Sequence, residues 1–149
     1  MPKTGRYAPI IARVLLGLVL VVTGLNKLFW FFPMPPMSQA LTMFMNSLKA
    51  TGYFLPFLGI VEFVGGALLL LNLFVPLALI LIAPVLVSIL AVHTFLDARG
   101  LPLAVTLIAL ELYLGWTYRE GFQALFVARN LSGNRLERKE LGRASARGN

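Results

Sequence analysis

The chain is 149 residues long, 58% hydrophobic and only 13% charged, with a mean hydropathy of +0.83 and a net charge of +7. Soluble domains run nearer 25% charged, so the composition excludes one and leaves room for a single polytopic membrane domain. The absence of cysteine excludes disulfides, dithiol relays, thiolate-held iron–sulfur clusters and cysteine metal sites. The single histidine, His93, excludes a haem held by two histidines of one chain. No nucleic-acid motif is present.

The first long apolar run covers residues 9–32, after a short N-tail (1–8) carrying Lys3 and Arg6. A basic start before an apolar run also marks a signal peptide, but this run is too long and no small-residue cleavage site follows, so it reads as an uncleaved first span. From Ile10 to Phe32 the run has 23 residues. At about 1.5 Å per residue it can cross a hydrocarbon core of roughly 30 Å. Arg13, Gly17, Gly24 and Lys27 are offset by 4, 11 and 14 residues from the first. At about 100° per residue they share one narrow sector of a helix. Small residues admit a neighbouring helix, and charges in a membrane turn away from lipid, so this stripe is expected to face protein.

Pro33, Pro35 and Pro36 end that helix. Ser38 is placed to cap a short helix whose Leu41, Phe44, Met45 and Leu48 sit at i, i+3, i+4 and i+7. That helix belongs on the membrane surface or over the bundle mouth. Met34, Met37, Met43 and Met45 read as interfacial packing, and no metal site is expected. Further spans follow at about 53–72, 76–96 and 102–118, joined by short turns at 72–75 and 97–101. Pro84 introduces a kink that neighbouring helices can accommodate. Residues 121–128 read as a short amphipathic extension of a membrane domain covering 9–128. Residues 129–149 read as a basic, disordered tail. The sequence thus predicts an all-α membrane four-helix bundle with an amphipathic helix between spans one and two.

Nine of the 13 Lys and Arg residues lie in the two tails, whereas the opposite loops hold only Lys49 and Arg99. The positive-inside rule then places both termini in the cytoplasm, in a cell inner membrane. Trp30, Tyr53, Trp116 and Tyr118 near span ends form an aromatic belt.

Inside the spans stand Arg13, Lys27, Glu62, His93 and Glu111. An isolated charge at mid-bilayer costs about 2.5–3.5 kcal/mol on insertion scales, so these groups must be paired, protonated or hydrated. Counting depth from the span ends gathers Asn26, Lys27, Glu62, His93 and Glu111 in the outer half of the bundle as a buried polar cluster. Arg13 is left alone near the cytoplasmic end as an anchor to headgroups. The stripes Gly59–Glu62–Gly66 and Ala104–Glu111–Gly115 should both face inward. His93 is either an interface histidine satisfied by Asp97 or a proton carrier.

Several motifs, taken in order, resemble one known family. They are Arg13, Gly24-Leu-Asn-Lys27, Thr51-Gly-Tyr-Phe-Leu-Pro56 and Glu62-x-x-Gly-Gly66. After these come Val75-Pro-Leu-Ala78, Ala83-Pro-Val85 and His93-x-Phe-Leu96. Their sequence and spacing resemble the DoxX family of small four-span membrane proteins, over residues 8–118. The resemblance matches the family's polar positions to Arg13, Lys27, Glu62 and His93; Glu111 rests on the depth count alone. It implies a quinone-linked redox role of the kind some members have, the founding member being similar to a subunit of a thiosulfate:quinone oxidoreductase. The leading expectation is therefore a quinone- or lipophile-binding subunit or accessory of a membrane oxidoreductase. Lys27 or His93 would donate to a carbonyl, and Glu62 or Glu111 would move protons. The chain alone cannot carry an electron, so quinone would be the cofactor, an oxidoreductase the partner and a homo-oligomer a further assembly. Two alternatives stand beside it: a small-molecule or proton-coupled carrier, and a structural or assembly protein whose polar cluster only fixes helix register.

Overall fold

The computed structural model describes residues 7–33 and 35–122. The expectations for the N-tail, for most of 121–128 and for the basic tail lie outside the described residues. The described residues up to 118 form one compact unit. Of residues 119–149, a helical stretch at 119–122 is described.

Among the described residues of the first unit are five helices, α1 (Ala8–Phe29), α2 (Gln39–Ala50), α3 (Phe54–Leu70), α4 (Val75–Phe95) and α5 (Leu101–Thr117), with a 3₁₀ turn at Ala98–Gly100 before α5. Pro9, Pro76 and Pro102 stand in the first turns of α1, α4 and α5. A missing N–H costs nothing there, because that donor has no intrahelical partner anyway. α1 stops where Trp30 turns left-handed (φ 55°) and gives its N–H to the Asn26 carbonyl at 2.8 Å. α4 runs unbroken through Pro84.

α1, α4 and the stretch Ala98–Thr117 are long and apolar enough to cross a membrane. α3 has 17 residues, the lower end of the spanning range, and joins α2 at a bend of 95°; the bent pair is the candidate for a fourth span. The helices close a ring: α1 packs along α3, α3 on α4, α4 on α5, and α5 back on α1. Outward-facing Ile11, Leu15, Leu18, Val22, Val87 and Leu112 are exposed in the bare chain, which is how a bundle presents itself to lipid.

α1 and α3 make the most extensive contact, and glycines are the reason. A Cβ added at Gly24 would lie 2.7 Å from both the Gly59 carbonyl oxygen and the Phe63 nitrogen. One at Gly66 would lie 2.7 Å from the Gly17 carbonyl oxygen. The two backbones therefore touch at two levels, seven residues apart on each helix. The stripe read from the sequence of α1 does face protein, and its partner is α3. The stripe on α5 is only half realised. Ala104 is buried, but a Cβ at Gly115 would meet no described atom within 4 Å.

α2 is capped as the sequence predicts: the Ser38 hydroxyl accepts the Leu41 N–H at 3.1 Å. Of its apolar face, Leu41 is buried, Met45 and Leu48 are half-buried and Phe44 is exposed.

Candidate functional site

The glycine contacts draw α1 and α3 so close that the side chains between them have few places to go. Thr23 and Lys27, one turn apart on α1, point at Glu62 of α3. Lys27 Nζ donates to Glu62 Oε2 at 2.6 Å, and Thr23 Oγ1 donates to the same oxygen at 3.1 Å. The Glu62 side chain is 0% exposed and that of Lys27 19%. Glu62 Oε1 is buried with no hydrogen-bond partner among the described residues. A buried carboxylate oxygen left unpaired is costly, and a native structure that keeps one has a use for it or fills it with water.

The remaining residues of the expected cluster lie apart from this pair in their bonding. Asn26 turns its carbonyl to the end of its own helix, accepting the Phe32 N–H at 2.8 Å. His93 Nδ1 lies 3.0 Å from the Asp97 carbonyl oxygen. A carbonyl only accepts, so Nδ1 carries the proton, and Asp97 partners His93 through its main chain rather than its carboxylate. Glu111 is half-buried on the face of α5 that carries Ala104, Leu107 and Leu114. Among the described residues no hydrogen bond or ion pair joins Asn26, His93 or Glu111 to the Lys27–Glu62 pair, and the described residues hold no group of three metal-ligating side chains.

Arg13 does not simply reach out to headgroups. Its Nη1 donates to Asn72 Oδ1 in the α3–α4 turn, while its Nε is buried with no hydrogen-bond partner among the described residues. Asn72 reaches it because it adopts a left-handed conformation (φ 56°) that asparagine tolerates. Arg13 thus fastens the near end of the α1/α3 seam.

The far side of the bundle has a second polar construction. Asp97 is 8% exposed and accepts the Ser38 N–H at 2.7 Å on one oxygen and the Arg99 N–H at 3.2 Å on the other. The Ser38 hydroxyl donates to the Leu96 carbonyl at 2.6 Å, and Arg99 Nη1 to the Pro36 carbonyl at 3.3 Å. The Ser38 and Arg99 N–H groups hold the Asp97 carboxyl below its ordinary value, helped by the charges of Arg99 and His93. A lowered folded-state value means the stabilisation is in place above the unfolded value of 3.8 and is lost as pH falls through the folded value. Thermal stability in detergent should accordingly drop on acidification below pH 4, and Asp97→Asn should remove that part of the drop.

Thr23, Asn72 and the Asp97 side of Ser38 were not singled out by the sequence. Thr23 carried a readable signal, because it stands four residues before Lys27 and so on the same face. The other two depend on which loops meet, which spacing along one chain does not encode.

No curated protein and no solved structure matches the chain. A family model does, the one described as DoxX, over residues 8–94, which take in the whole of α1, α2 and α3 and nearly all of α4, with both members of the ion pair. The chain is a membrane protein that belongs to the DoxX family.

Proposed function

We propose that the chain is a quinone- or lipophile-binding subunit of an inner-membrane redox system, with its termini in the cytoplasm and the ligand's head group held at Lys27 and Glu62. The observation that supports this is unspent hydrogen-bonding capacity on a buried pair. Lys27 has three donors and gives one to Glu62, and Glu62 Oε1 accepts nothing among the described residues. A quinone offers carbonyl oxygens and its reduced form offers hydroxyls, so an ammonium and a free carboxylate oxygen side by side serve both states. Electrons would come from a partner oxidoreductase.

A second reading is favoured by the glycine contacts that flank the pair: a bolt that sets the register of α1 on α3 and binds nothing. Organic extraction of the gently solubilised protein separates the two. The ligand reading expects a quinone-class lipophile in near-stoichiometric amount from the native chain, and less than a tenth of it from Lys27→Ala and Glu62→Gln. No lipophile in any sample, with both variants unfolding more easily, leaves only the bolt.

A further inference from the structure

The α1/α3 seam is antiparallel. Arg13 meets Asn72, Gly17 meets Gly66, and Gly24 meets Gly59. Lys27 comes next, its Cβ 3.1 Å from where a Gly59 side chain would start. Trp30, which caps the end of α1, and Leu55, in the first turn of α3, lie past this end of the seam. These two residues line a cavity of about 90 Å³, whose other walls are Met37, Met45, Asn46 and Lys49. The cavity therefore sits at the end of the seam, one helical turn beyond Lys27 and on the side of the bundle that carries α2.

Its size decides what it can be. A water occupies about 30 Å³ in the liquid, so the space holds roughly three waters. Pockets for ring-sized ligands run from about 300 Å³ upward. As it stands, the cavity is half open and too small for a head group, and α2 narrows it, contributing Met45, Asn46 and Lys49.

α2 is built to be separable. Its only fully buried residue is Leu41. One end turns into α3 through Gly52, whose φ of +77° and open surroundings make it a pivot (a Cβ there would meet nothing within 4 Å). The other end is held by Ser38, through its N–H to Asp97 and its hydroxyl to the Leu96 carbonyl. Lys49 rests on the Trp30 ring at 4.9 Å and closes the middle. The Ser38 contacts that leave its own helix run to the α4–α5 corner, so they can part without disturbing the α1/α3 seam.

We propose that α2 is a latched lid: it turns on Gly52 when the Ser38 bonds to Asp97 and Leu96 part, and opens the way by which a lipophilic head group reaches Lys27. The identity of the ligand rests on the reading above; the motion does not. The native chain has no cysteine, so a single introduced one reports cleanly. Leu55→Cys places a thiol on the buried floor of the cavity, and Met45→Cys places one on the lid's underside. Labelling of either by a water-soluble maleimide, in the full chain in liposomes, should be slow. It should quicken at least tenfold when Asp97→Ala or Ser38→Ala is added. Ile82→Cys, buried against Gly65 between α3 and α4, is the control and should stay slow throughout.

Labelling rates unchanged by both latch variants, or fast in their absence, would overturn the lid. So would an equal acceleration at Ile82→Cys, which means general loosening of the bundle. Loss of the quinone from extraction with the labelling pattern intact would remove the ligand and keep the lid.

Discussion

Glu62→Ala is expected to destabilise the protein by about 3–5 kcal/mol, the usual cost of removing one partner from a buried ion pair. The reason is asymmetry. The carboxylate is 0% exposed and the Lys27 side chain 19%, so deleting Glu62 strands a largely buried ammonium in the α1/α3 seam. A pair in free contact with water would lose no more than about 1 kcal/mol. Denaturant titration of the variant in mild detergent distinguishes the two regimes, and a loss below 1 kcal/mol would show that water reaches the seam.

The second large effect belongs to Gly24→Ala. The new methyl carbon would stand 2.7 Å from the Gly59 carbonyl oxygen and the Phe63 nitrogen. Both are backbone atoms, so no rotamer change relieves the contact and the helices must separate. Overpacking of this kind costs about 1–3 kcal/mol, and the upper end is expected here because the backbone itself must move. The shift would also pull Lys27 away from Glu62, so ligand retention should fall with stability. Gly115→Ala is the matched comparison. No described atom lies within 4 Å of that position, and the change should be neutral or slightly stabilising through helix propensity. Equal losses from the two substitutions would mean that the α1/α3 contact is looser than described.

Much of this fold is written in local rules. Apolar runs of spanning length, first-turn prolines and the Ser38 cap give α1, α2, α4 and α5 within a few residues, because each depends on neighbours in the chain. The facing of α1 was legible for the same reason: Arg13, Gly17, Gly24 and Lys27 fall in one sector whatever the partner helix is. Depth placed Lys27 and Glu62 in the same half of the bundle, since antiparallel spans bring equal depths together, but it did not single out their pairing. Depth alone says nothing about azimuth, and that is where the larger cluster came apart. His93 was within reach by depth, yet a carbonyl four residues on satisfied it first. Asn26 likewise found a donor at the end of its own helix. Glu111 lies on a packed face of α5, but α5 meets α1 far less closely than α3 does, because its stripe has no paired glycines opposite. The 95° turn between α2 and α3, and the latch that follows from it, depend on where two loops meet and had no signature in spacing.

The claim on which the rest depends is that Lys27 and Glu62 are held together for a ligand and not only for register. The double variant Lys27→Met/Glu62→Leu tests it most directly, because replacing both partners of a buried pair by apolar side chains of similar size is often neutral or stabilising. The ligand reading predicts a chain as stable as the native one that yields no quinone-class lipophile on extraction. A double variant that retains the lipophile in native amount, or a native chain that never held any, would contradict it.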